Sequence, residues 1–189
     1  MKLSEEQLID LCKKRDRKAQ KYLYTKYASV LLGISMRYSA SRQEAEDILQ
    51  EAFIRIYGNI SQFNGMGSFE GWMKRIVVNT AITQFHRNKK HNRMDDIDEI
   101  HETDIEGYSL DDAEYTHEEL LKVINMLPDG YRMVFNLYAI EGYKHKEIGE
   151  ILNIDVSTSK SQFSRARRLI QQKLEDTYTT KVTRTKIGG

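Results

Sequence analysis

The sequence predicts an all-α protein of two small helical domains joined by an acidic flexible linker. Three observations carry this. Apolar residues recur at helical spacing in segment after segment, while no sustained period-two run with hairpin turn chemistry is present. A single proline stands among 189 residues, of which 30% are charged. From Met94 to Glu119 the chain carries 12 of its 28 acidic residues and no Lys or Arg, and the part from 94 to 112 has little helical period.

The helices follow in order. Ser4 with Gln7 has the spacing of a capping box, and Leu3, Leu8 and Leu11 open an amphipathic helix. A second helix is expected from about Arg17 to Tyr38, rich in Tyr and Leu. Ser41, with Glu44 as another capping-box pair, starts a third that runs to about Gly58. Its apolar face is Ala45, Ile48, Leu49, Ala52, Phe53 and Ile56. Its other face is charged: Glu44, Asp47, Gln50, Glu51 and Arg55. Glycines make 64–68 a loop. A fourth helix is expected from about Ser68 to Asn88, where the chain turns basic (Arg87, Lys89, Lys90, Arg93). Helices resume from about Asp112 to Leu127. Pro128 begins the next, to about Ile140, at a position where a missing N–H costs nothing. Gly142 ends it. The expected domains are 1–93 and 113–178, with the linker at 94–112 and an irregular, frayed tail at 179–189.

Residues 141–174, EGYKHKEIGEILNIDVSTSKSQFSRARRLIQQKL, have the form of a helix-turn-helix. The first helix spans about Lys144 to Leu152, with Ile148, Ile151 and Leu152 on its apolar face. Asn153 sits at the break, where tolerance of the left-handed conformation is wanted. Ile154 and Val156 are expected to plug the turn, and Asp155 or Ser157 to cap the next helix. On that helix Phe163, Ala166 and Ile170 form the buried stripe. The remaining faces carry Lys160, Ser161, Gln162, Ser164, Arg165, Arg167 and Arg168. Such a front suits the DNA major groove: Arg donates to guanine O6 and N7, while Lys and Ser reach phosphates or base edges. Arg165 is the expected base contact, and Arg167 or Arg168 the expected phosphate contact.

Charge supports nucleic acid as the partner. The formal net charge is only +1, yet outside 94–119 the chain holds 29 basic and 16 acidic residues. Two basic blocks flank an acidic strap. Cys12 is the only cysteine, so no disulfide or thiolate metal site is expected. The five histidines (86, 91, 101, 117, 145) show no metal-ligand spacing, and no metal or other cofactor is expected. The opening MKLSEEQLIDLCKK has acids where a signal peptide needs an apolar core. No apolar run is long enough to span a membrane. The expected compartment is the cytoplasm.

Four segments in order resemble the extracytoplasmic-function group of sigma-70-type RNA polymerase sigma factors. They are AEDILQEAFIRIY (45–57), GSFEGWMKRIVVNTAITQFHRNKK (67–90), LPDGYRMVFNLYAIEGY (127–143) and the helix-turn-helix at 144–168. The resemblance covers about residues 5–175. It implies an alternative sigma factor, not an enzyme, with no catalytic residues. The domains would be a sigma2-like bundle and a sigma4-like helix-turn-helix domain. The implied partners are core RNA polymerase, promoter DNA and an anti-sigma factor, in many members a membrane-anchored one.

The resemblance also assigns roles. Asp47, Gln50, Glu51 and Arg55 would face the polymerase clamp. The residues alone read as a solvated face with a Glu51–Arg55 pair. The helix at 68–88 would open and read the −10 element through Trp72, Lys74, Arg75, Asn79 and Arg87, with Asn79 capturing an unstacked base by its amide and the loop 62–68 as the pocket wall. Trp72 reads equally as core packing, and Ile76, Val77 and Ala81 read as core. Thr158, Lys160, Ser161, Ser164, Arg165 and Arg168 would read the −35 element. The acidic linker is either a plain solubilising strap or, as in family linkers, an occupant of the polymerase RNA-exit path. Two residues depart from the family: Gly149 stands where Ala is usual and Ser159 where Val is usual, and both replacements are expected to shrink the apolar packing of the turn.

Two rivals remain. A stand-alone dimeric helix-turn-helix regulator explains 141–174 and leaves 44–90 without a purpose. A nuclease needs a convergent carboxylate cluster for metal, and the acids here fall on solvated faces or in the linker.

Overall fold

The computed structural model describes residues 3–91 and 115–187. The expected boundary at 93, the linker at 94–112 and the start of the second domain at 113 all lie outside them. Among the described residues the regular structure is helical throughout: α1 (Glu5–Lys13), α2 (Arg17–Tyr38), α3 (Arg42–Asn59), a 3-10 turn (Ile60–Gln62), α4 (Phe69–His91), α5 (His117–Asn125), α6 (Asp129–Phe135), a π turn (Asn136–Ile140), α7 (His145–Leu152) and α8 (Val156–Ile187). The chain divides into two units, one ending at Gln84 and the other beginning at Phe85, within α4.

In the first unit, local chemistry sets the helix starts. Ser4 and Gln7 form the complete capping box. Asp16 caps α2 by accepting from the Ala19 N–H at 2.7 Å, and Arg15 makes the tight link from α1 with φ 59°. The Ser41 hydroxyl accepts from the Glu44 N–H. The Glu44 carboxylate, however, takes the N–H of Ala40 instead of closing the box on Ser41. All six expected apolar positions of α3 are buried. They pack on α2, whose Leu23, Tyr27, Leu31 and Ile34 are also buried, while Tyr22 and Val30 lie on its outer side. Met73, Val77, Val78 and Ala81 add the buried stripe of α4, and Ile76 is half-buried.

In the second unit, α5 starts at His117 under a Thr116–Glu119 capping box, later than the start expected near Asp112. It ends at Asn125, two residues before the expected Leu127. Buried Arg132 explains that end. Its Nη1 donates to the carbonyls of Asn125 and Leu127, and its Nη2 pairs with the Asp129 carboxylate. Carbonyls left over at a helix end are thereby satisfied. Pro128 occupies the N-cap of α6. The helix then widens into the π turn, where buried Asn136 donates to the Arg132 carbonyl. The core joins Val123, Leu127 and Tyr131 to Ala166, Ile170 and Leu174 of α8. α8 continues to Ile187, so the tail expected to be irregular from 179 is helical over most of its length. No Gly or Pro interrupts 156–187, and extending an existing helix needs only one further hydrogen bond per residue, not an apolar period.

Candidate nucleic-acid and polymerase interfaces

The helix-turn-helix is built around Asn153, which takes the left-handed conformation at φ 52°, ψ 56° and ends α7. Gly149 is required by the same turn: a Cβ there would lie 2.8 Å from the backbone carbonyl oxygen of Ile154. In this chain the departure to glycine therefore permits a closer backbone approach rather than leaving a void. Ser159 is fully buried and its hydroxyl lies 3.0 Å from Nδ1 of His145, so the second departure replaces an apolar contact with a polar one. The His145 ring stacks on Tyr138, with centroids 4.3 Å apart. Burial lowers the His145 pKa, and the charge of Lys160 lowers it further. Ile154 is half-buried as a plug of the turn, whereas Val156 is 41% exposed. Val156 is the first residue of α8, which puts Asp155 at the cap position and Ser157 inside the helix.

On α8, Lys160, Ser161 and Ser164 are exposed, while Thr158, Arg165 and Arg168 are partly covered. The sequence places Arg165 outward with the others. The structure turns it toward α6, where its Nη1 donates to the Tyr131 hydroxyl at 3.4 Å. Arg167 is more exposed than Arg168. Phe163 meets Tyr138, Phe135 and His145 rather than sitting fully in the core.

On α4, Arg75, Asn79 and Arg87 are exposed. The Lys74 ammonium lies 2.7 Å from the Glu70 carboxylate one turn earlier. Trp72 is half-buried between Phe63 and Phe69. Ahead of this helix the loop turns through Gly65 and Gly67, at φ 80° and 86°, values that favour glycine. Between them Met66 is 82% exposed, with its N–H held by the Asn64 side chain. Nothing in an apolar-period reading picks out Met66, because it lies outside any helix.

On α3, Asp47 and Gln50 are exposed, and Arg55 and Glu51 are paired at 3.0 Å. Ile54, one to two turns on, is 68% exposed. It lies off the apolar stripe, so a helical period does not pick it out. The signal was an aliphatic residue at i+7 from Asp47 on the polar side. Among the described residues no three His, Cys, Asp or Glu side chains converge as a metal site would require, and no helix is long and apolar enough to cross a membrane.

Residues 23–91 match the family profile Sigma-70 region 2, and residues 117–170 match Sigma-70, region 4. The ECF RNA polymerase sigma-E factor of Haemophilus influenzae is 29% identical over 184 residues, covering 92% of this chain and 96% of that protein. The RNA polymerase sigma-H factor of Pseudomonas aeruginosa is 29% identical over 181 residues, covering 90% and 94%. Among solved structures, the sigma factor RpoE in complex with the anti-sigma factor NepR from Bartonella quintana is 19% identical with a TM-score of 0.48, covering 82% of this chain and 96% of that one. Two sigma-70 regions in their order, within relatives that match the chain almost end to end, settle its kinship: the chain belongs to the extracytoplasmic-function group of sigma-70-type RNA polymerase sigma factors.

Proposed function

We propose that this alternative sigma factor divides its work among three helix faces. It binds core RNA polymerase and directs promoter-specific transcription initiation. In our reading, α3 docks on polymerase through Asp47, Gln50, Glu51 and Arg55, with exposed Ile54 as the apolar centre of a polar rim. The outer face of α4 reads and opens the −10 element. Asn79 takes an extruded base on its Watson–Crick edge, Arg75 and Arg87 hold the strand, and Lys74 contributes once freed from Glu70. Met66 and the loop at 62–68 form the wall of that pocket. α8 reads the −35 element through Thr158, Lys160, Ser161, Ser164, Arg165 and Arg168, with Arg167 on phosphate.

The observation that carries the reading is the two-sidedness of α4 and α8. Their backs are buried, at Val77 and Ala81 and at Ala166 and Ile170, while polar and basic side chains stand on their fronts. The same reading places the protein in the cytoplasm and gives it no chemistry of its own. It takes 1–93 and 113–178 as the working domains, with 94–112 as an acidic connector, and adds an anti-sigma factor as a regulatory partner.

In-vitro transcription with bacterial core enzyme on a promoter library tests it. Transcripts that depend on this protein, from promoters sharing −35 and −10 elements, are the expected result. Tight binding of promoter duplex by the free protein, with no transcripts, would instead favour a stand-alone regulator.

A further inference from the structure

Two side chains of α8 rest on the first turn of α6. Arg165 donates from Nη1 to the Tyr131 hydroxyl at 3.4 Å. Gln162 lies across Gly130, so closely that a Cβ on Gly130 would come 3.3 Å from its amide nitrogen. Positions 162 and 165 are i and i+3, neighbours on one side of the helix. The Tyr131 ring is held in the core with Leu127, Ala166 and Ile170 and is only 8% exposed. Its hydroxyl is therefore an acceptor on a fixed mount, while the arginine it meets is a long side chain with many rotamers.

We propose that Tyr131 is a positioning residue for −35 recognition: its hydroxyl holds the Arg165 guanidinium in place before DNA arrives. The proposal rests on the reading of Arg165 as a base contact. A guanidinium carries five donors in a rigid fork. One donor spent on Tyr131 leaves others to meet guanine O6 and N7. Holding the fork in advance removes part of the ordering cost that DNA binding would otherwise carry. Tyr131 touches no base and acts only through Arg165. Gln162, seated on Gly130, fills the flank on the same side and limits the arc through which Arg165 can swing.

The test uses holoenzyme on a set of −35 variants, with Arg165→Ala, Tyr131→Phe and the double variant. Tyr131→Phe keeps the core ring and removes one oxygen. Arg165→Ala identifies the base pair concerned, as the position at which selectivity relaxes. At that pair Tyr131→Phe should lower the preference for the favoured base by about three- to tenfold, the size of one long, modest hydrogen bond. Its effect should vanish in the Arg165→Ala background, and the salt slope of binding should not change, since no phosphate contact is lost. In the free chain, NMR relaxation of the Arg165 Nε–H should report a looser side chain in Tyr131→Phe at an unchanged melting temperature. An equal loss of selectivity with and without Arg165, or unchanged selectivity and mobility, overturns the positioning role. If Arg165→Ala relaxes no position, the base-contact reading fails first and the positioning role falls with it.

Discussion

The Trp72 indole lies nearly parallel to the Phe69 ring, with centroids 5.7 Å apart and 14° between the planes. Phe63 meets both, at 5.7 Å and 5.1 Å, so three aromatic rings bind the loop ahead of α4 to its first turns. Trp72 thus packs, whatever nucleic acid it also meets. Trp72→Ala should lower stability by about 3 kcal/mol, the low end for a large aromatic truncation because part of the ring is exposed. Trp72→Phe should recover most of this. Urea unfolding followed by circular dichroism measures it, and an unmoved midpoint for the alanine variant would show that the stack carries no stability.

Asn79 presents the opposite case. Its side chain is exposed on α4, so Asn79→Ala should change stability by no more than about 0.5 kcal/mol. Polymerase binding should be retained while open-complex formation falls. Permanganate reactivity of thymines in the −10 region reads this directly. Wild-type reactivity would remove Asn79 from the base pocket.

Ile54 offers a test of the polymerase face. An aliphatic side chain left 68% exposed gains by burial against a partner, and an aspartate there would oppose it. Ile54→Asp should weaken binding to core polymerase about tenfold or more, the equivalent of losing most of one aliphatic burial, with the melting temperature of the free chain unchanged. Competition against a labelled sigma factor for core enzyme measures the loss. Full competitive strength would exclude Ile54 from the interface.

The sequence was legible where the controlling chemistry is local. The α3 stripe from Ala45 to Ile56 is buried at every expected position, because a 3.6-residue period is written into neighbouring residues. Asn153 adopts the left-handed turn, and Ser4 and Gln7 cap as their spacing requires. Partners distant in the chain were not legible. Arg165 leans on Tyr131 across 34 positions, which no helical wheel of α8 reveals. Burial of Ser159 beside His145 and the π turn at Asn136–Ile140 likewise depend on how α6, α7 and α8 meet. At the candidate site, the residue types on α4 and α8 were readable, and their exposure was readable only in part.

Cys12 should be chemically quiet in the folded chain. Its thiol is buried, and burial together with the charge of Asp16 pushes its pKa up to about 11. The reactive thiolate is scarce at neutral pH under those conditions. A disulfide reagent such as Ellman's should react with about one thiol per chain in denaturant and far more slowly without it. Rapid reaction in native buffer would mean that the α1–α2 contact opens readily.

The pH dependence of the second unit should carry the mark of His145. Burial, and after it the charge of Lys160, holds its pKa below the ordinary 6.5, so the folded chain takes up this proton less readily than the unfolded one. As pH falls below about 6.5 the unfolded state is protonated first and is thereby stabilised relative to the fold. The stability linked to this histidine is therefore complete above the unfolded pKa and declines as pH falls through the window down to the folded pKa. His145→Asn removes the titration while keeping a polar group toward Ser159. Between about pH 7.5 and about pH 5.5 the wild-type chain should lose more stability than this variant, which isolates His145 from the other four histidines. Lys160→Ala should shrink the difference without abolishing it, because burial is the larger cause. Urea midpoints at the two pH values measure each slope. A wild-type chain that gains stability relative to the variant on acidification would mean that the imidazolium is the favoured form, held by its stack on Tyr138, and the assigned sign would be wrong.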